Sequence, residues 1–105
     1  MRTLFSTIVL CLVFSATVAE EEYVVGQKNK NFTVKAVHAK VGDTVSFANE
    51  DPYFHNIFSI SDTQMFDLGS YPKGESRKIT LETPGVIEVE CAIHPTMQMT
   101  IHVDK

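Results

Sequence analysis

The chain has 105 residues, 44% of them hydrophobic and 21% charged, and carries a formal net charge of −4. This length allows one small domain. The acidic balance excludes nucleic acid and anionic membrane surfaces as natural partners, because both need a basic face. Only two cysteines are present, Cys11 and Cys91.

The opening stretch "MRTLFSTIVLCLVFSATVAE" has the three parts of a secretory signal. Arg2 is the charged start, Leu4 to Phe14 the apolar stretch, and Thr17-Val18-Ala19 a small-residue cleavage site. The apolar part is too short to span a bilayer and runs directly into Glu20-Glu21-Glu22, so no retained anchor is expected. Export with removal of residues 1–19 leaves a domain at 20–105, in the periplasm or otherwise outside the cell, one unit more acidic because Arg2 is lost. Cys11 leaves as well. Exported small domains use paired cysteines as staples, so a lone Cys91 in an oxidising compartment calls for burial or a bound partner.

Along the remaining chain, apolar residues recur with period 2 and hardly at all with a helical period. The run "NFTVKAVHAK" reads as a strand alternating through Phe32, Val34 and Ala36. Gly42-Asp43 bends the chain into a strand whose parity is shared by Val41, Val45 and Phe47. After the turn "NEDP", "HNIFSI" is a short strand, and "SDTQMFDLGSYPKGES" reads as an irregular segment wandering between sheets. "ESRKITLET" sets Ile79 and Leu81 on one face. Pro84-Gly85 then turns the chain into a strand with Ile87, Val89 and Cys91 inward and Glu88 and Glu90 on the solvated face. The closing strand points Met97, Met99, Ile101 and Val103 inward and His102 outward. Short strands separated by Gly, Pro and Asp turns predict an antiparallel or mixed β-sandwich.

The segment "CAIHPTMQMT" gathers the unusual chemistry. Cys91 ends an inward strand face, His94 follows in the turn tightened by Pro95, and Met97 opens the next inward face. His55, at the start of "HNIFSI", can lie at the same end of the sandwich. One thiolate, two imidazoles and a thioether form a soft-leaning donor set, the kind that suits copper cycling between Cu(I) and Cu(II). Zinc accepts the first three, but a thioether is not among its usual ligands. Taken singly, the cysteine is a small buried apolar residue and the methionines are core filler; the joint occurrence is what points to a metal. A Cys-His nucleophile lacks an evident acid to orient the base. His38 and His102 read as ordinary solvent-facing residues.

The order of His55 and "CAIHPTM", with "GDTVSFANEDPYFHN" ahead of the first histidine, resembles the cupredoxins, the small blue copper proteins, and among them the amicyanin and plastocyanin-like group. The similarity runs from Phe32 through "VGDTV", "FDLG", "GES" and "PGV" to Val103. It implies an all-β, two-sheet Greek-key sandwich with one copper ion. His55, Cys91 and His94 would be equatorial ligands and Met97 axial; Met99, four residues after the histidine, satisfies the spacing found in some relatives and stays an alternative. Asn56 matches the residue that ties the two ligand loops together. The resemblance further implies a non-enzymatic carrier of single electrons, monomeric, which redox donor and acceptor proteins dock transiently near His94, with Pro95, Tyr53 or Phe54 forming an apolar rim. A copper-delivery or storage protein is the alternative function.

Overall fold

A computed structural model describes residues 20–105; the expected signal at 1–19 lies outside the described residues. Nine strands follow in order: β1 (Glu22–Lys28), β2 (Asn31–Phe32), β3 (Ala36–Lys40), β4 (Thr44–Asn49), β5 (His55–Ser59), β6 (Phe66–Tyr71), β7 (Ser76–Thr80), β8 (Gly85–Cys91) and β9 (Gln98–Asp104). They build two sheets, one ordered β2-β1-β4-β7 and the other β3-β9-β8-β5-β6. β1 runs parallel to β4 and β3 parallel to β9; all other neighbours are antiparallel. The expected sandwich is therefore present, in its mixed form.

The core lies between the sheets. Val25, Phe32, Val45, Phe47 and Ile79 face it from one side, and Val37, Ile57, Ile87, Val89, Ile101 and Val103 from the other. These are the β-branched and aromatic types that suit a pleated, half-buried surface. At the edge, Tyr71 ties the layers together: its hydroxyl donates to the Phe47 carbonyl (3.0 Å) and accepts from Gln27 Nε2 (2.7 Å). Burial, the largest influence, pushes that hydroxyl's pKa up to about 12, so it remains a neutral donor.

Three sequence expectations are corrected. The alternation assigned to "NFTVKAVHAK" breaks: β2 ends at Phe32, and after a crossing at 33–35 the inward residues are Val37 and Ala39, with Val34 exposed. The chain leaves one sheet there and joins the other, which resets the parity. Val41 is likewise exposed, because it sits in the turn before β4 rather than in the strand. The segment taken as irregular contains β6, paired antiparallel to β5 with a bulge between Asn56 and Phe58; the bulge and two glycines hid its period. The stretch "EYVVGQK" is also a strand, β1, although only the acidic run at its start had drawn attention.

Candidate metal centre

Strand direction brings the chemistry to one end. β4 rises to that end and β5 leaves it, so the β4–β5 turn carries His55 there, while β8 rises to it and ends on Cys91. Ile57 pairs with Cys91 across the β5–β8 ladder, and the Ala92 amide donates to the Asn56 carbonyl (2.9 Å). The tie between the two loops is thus made by the Asn56 main chain. Its side-chain Oδ1 is buried and has no partner among the described residues.

Three donor atoms meet. Cys91 Sγ lies 3.6 Å from His55 Nδ1 and 4.0 Å from His94 Nδ1, and the two ring nitrogens are 3.2 Å apart. Among the described residues this is the one group of three or more such side chains able to hold a metal ion. A triangle with those sides has a point roughly 2 Å from all three corners, the length of imidazole and thiolate bonds to a transition metal. Two ring nitrogens at 3.2 Å cannot both hold a proton in the gap between them, whereas a cation satisfies both lone pairs. The donor set therefore fits a soft-leaning metal ion.

The surroundings fix which nitrogen faces the gap. His55 is fully buried, and its Nε2–H donates to Asp51 Oδ2 at 2.8 Å. Asp51 also accepts the Asn29 amide (2.7 Å) and the Lys30 amide (3.0 Å). Burial pushes the Asp51 carboxyl up, but the His55, Lys30 and Asn29 hydrogen bonds outweigh it and hold the group below the usual carboxylate range. An ionised Asp51 can only accept, so His55 keeps its proton on Nε2 and turns a bare Nδ1 toward Cys91. A carboxylate behind a metal-binding imidazole orients the ring and raises its basicity. For His94, burial first, then the charges of His55 and Lys30, lower the pKa, which favours the neutral ring a metal requires.

Asn49 shapes the turn that presents His55. Its Nδ2 donates to the carbonyls of Tyr53 and Tyr71 (both 2.9 Å), and its Oδ1 accepts the Asp51 amide (2.8 Å). Asn29 and Lys30 both adopt positive φ, 54° and 58°, the requirement of a tight two-residue hairpin turn. Neither is glycine, and Asp51 offsets the strain by accepting both amides. Tyr53 packs its ring 5.6 Å from each of the rings of His55 and His94, and Lys30 Nζ lies 5.4 Å above Tyr53.

The two methionines separate along the β8–β9 ladder. Met99 pairs with Val89, and the ladder ends with Gln98 opposite Glu90. One step further would set Met97 level with Cys91. Met97 is completely buried, in the turn where its amide donates to the His94 carbonyl (2.9 Å). Met99 is buried too, two rungs lower among the core side chains. Next to His94, which is partly exposed, Ile93 is 51% exposed and Pro95 is exposed, and Phe54, the residue before His55, is 53% exposed.

Sequence reasoning found the three converging donors and missed Asp51, Lys30 and Ile93. Asp51 had a signal: a carboxylate four residues before a candidate ligand, inside the same turn. Lys30 had none, because its proximity comes from a separate hairpin.

A family model of copper binding proteins, the plastocyanin/azurin family, matches residues 19–104. The methylamine utilization protein MauL of Methylorubrum extorquens is 28% identical over 109 residues, spanning 98% of this chain and 96% of that protein. A reduced point mutant of amicyanin superposes with a TM-score of 0.74 at 25% identity, covering 85% of this chain and 88% of that one. The copper-containing nitrite reductase of Thermus scotoductus gives 0.74 at 28% identity, over 80% of this chain but only 22% of the reductase. With the donor set, the sandwich and this match in agreement, the chain belongs to the plastocyanin/azurin family of copper-binding proteins, and its cofactor is copper.

Proposed function

We propose that the protein is an exported carrier of single electrons with one type 1 copper site. His55 and His94 through Nδ1, and Cys91 through Sγ, would be its equatorial ligands, with Met97 on the axis and Met99 in the core below. The observation that carries this reading is the closed triangle of 3.2, 3.6 and 4.0 Å formed by side chains 36 and 39 positions apart in the sequence. Copper held there supplies a couple between Cu(I) and Cu(II).

The chain's own residues do the rest. Asp51 holds the His55 ring in one tautomer, and Tyr53 wedges against both imidazoles, so the donors have little freedom to rearrange when charge changes. Buried His55, Cys91 and Met97 keep water out and leave no coordination position for a substrate, which supports a carrier rather than an enzyme. His94 alone reaches toward solvent, inside an apolar rim of Phe54, Ile93 and Pro95. A redox donor and an acceptor can each press against that rim briefly, since its side chains are apolar, with the Lys30 ammonium beside it over Tyr53. We place the working protein in the periplasm or outside the cell as a monomer of residues 20–105, on the strength of the signal-like start.

The test is the visible spectrum and voltammetry of the processed chain loaded with Cu(II). An intense thiolate-to-copper absorption and a reversible one-electron wave are expected, with the absorption gone in Cys91→Ser. Retention of the band in that variant would remove Cys91 from the site. Copper that binds but is lost on reduction would favour delivery or storage instead.

A further inference from the structure

The stacked pair of imidazoles on the outer face of the five-stranded sheet is not used by the copper centre. β3 and β9 run parallel, and their register sets His38 directly beside His102. The two rings are 4.6 Å apart between centroids and only 12° from parallel. Both stand on the solvent side, since their chain neighbours Val37, Ala39, Ile101 and Val103 all point into the core. Val86 of β8 flanks them on the other side of His102. From His102, level with Val86, the Cys91 end of β8 is five residues away, about 17 Å at strand rise. The pair is therefore a separate feature of the molecule.

Two independent surface histidines would splay into water. These lie nearly flat against one another, 12° from parallel, on adjacent strands of one sheet face. The arrangement gains little as a charged pair: two imidazolium ions at this distance repel, whereas cross-strand neighbours that stabilise a sheet are of opposite charge or apolar. Neutral rings so placed are two borderline donors on a rigid base.

We propose that His38 and His102 form a second, solvent-facing site for a borderline divalent transition-metal ion of the Cu(II), Ni(II) or Zn(II) class. An ion bonded at about 2 Å to each of two imidazoles holds their nitrogens roughly 3–4 Å apart. Parallel rings do not aim their lone pairs at one point, so binding requires both rings to turn out of the stack about χ2, which the broad χ2 preference of histidine permits. No carboxylate joins the pair in a three-donor group among the described residues, so water completes the coordination. Imidazole suits copper, nickel and zinc alike, and the usual order makes Cu(II) the tightest of the three.

The buried centre is first filled with copper and reduced, so that it accepts no further ion, and the full processed chain is then titrated with Ni(II). One saturable equivalent is expected by calorimetry, with paramagnetic broadening in proton–nitrogen NMR spectra centred on residues 38 and 102. His38→Asn and His102→Asn should each weaken that equivalent about tenfold or more. Both should retain the visible band of the oxidised copper centre, which shows that they fold. Nickel binding that is unchanged in both variants, or broadening centred elsewhere, overturns the proposal, as does the lack of any saturable further equivalent. None of these outcomes depends on whether the protein carries electrons.

Discussion

β4 is bracketed by two aspartates that do similar work at opposite ends of the sandwich. At the end away from the donors, Asp43 accepts the amides of Glu21 (3.0 Å) and Lys40 (2.9 Å), pinning the start of β1 and the β3–β4 turn to β4. At the donor end, Asp51 accepts the amides of Asn29 and Lys30, pinning the β1–β2 turn, and accepts one further hydrogen bond from His55 Nε2–H. Both carboxyls are held below the usual range: Asp43 mainly by its Glu21 amide and then its Lys40 amide, Asp51 by His55 and two amides against the opposing effect of burial. The difference is a single donor. At one end a carboxylate fastens main chain to main chain; at the other the same fastening also decides which nitrogen of a buried imidazole stays bare.

Removing Asp51 should therefore have the largest consequence. Asp51→Ala leaves the buried His55 Nε2–H and two part-buried amides without their acceptor, costing roughly 1–3 kcal/mol of stability. It also frees the His55 ring, and losing a partner of this kind weakens metal binding about 10- to 100-fold. Thermal melts of the metal-free protein and copper competition with a chelator measure the two effects separately. Should the melt drop while copper affinity holds, Asp51 would be a fastening alone and the two ends would be alike.

The donor end was also the more legible in the sequence. Four residues of three chemically rare types in a fixed order pointed to His55, Cys91, His94 and Met97 as candidate ligands without any knowledge of the sheets, because their positions follow from one hairpin and one strand start. The inward parity of β8 and β9 was equally readable, each being an unbroken run in a single sheet. What stayed hidden depends on pairings between distant segments. β6 was lost to the bulge opposite it, the break after Phe32 to a change of sheet, and β1 to its acidic beginning. Asp51 looked like a turn residue because its role exists only once the β1–β2 hairpin folds over it. The stacking of His38 on His102 needs the parallel register of β3 and β9, which parity within each strand cannot supply.

Asp43 gives the smaller effect and a cleaner one. Asp43→Ala should lower the melting temperature by less than Asp51→Ala and leave the copper absorption unchanged, since the copper donors lie at the opposite end of the strands. Its pH signature follows from its lowered pKa. As pH falls through the ordinary value of 3.8, the unfolded chain takes up a proton before the folded one does. The stability this carboxylate contributes is therefore fully present above that value and drains away below it. Asp43→Asn should flatten part of the acid-induced loss of stability near and below pH 4, with the remainder left to Asp51. An acid limb unchanged by the substitution would mean that the Glu21 and Lys40 amides do not favour the ionised form.

The smallest expected change in stability separates the two methionines. Leucine nearly conserves the volume of methionine, so Met97→Leu and Met99→Leu should each cost less than about 1.5 kcal/mol. Their spectra should differ. Met97, one rung beyond the Gln98–Glu90 pair and so level with Cys91, should alter the visible spectrum and shift the reduction potential when its sulfur is removed, because the axial donor tunes such a centre. Met99, paired with Val89 inside the core, should leave both unchanged. The reverse outcome would move the axial position four residues beyond His94 and require the β9 strand to begin differently when copper is bound. Voltammetry of the two variants beside the parent protein distinguishes the cases in one experiment.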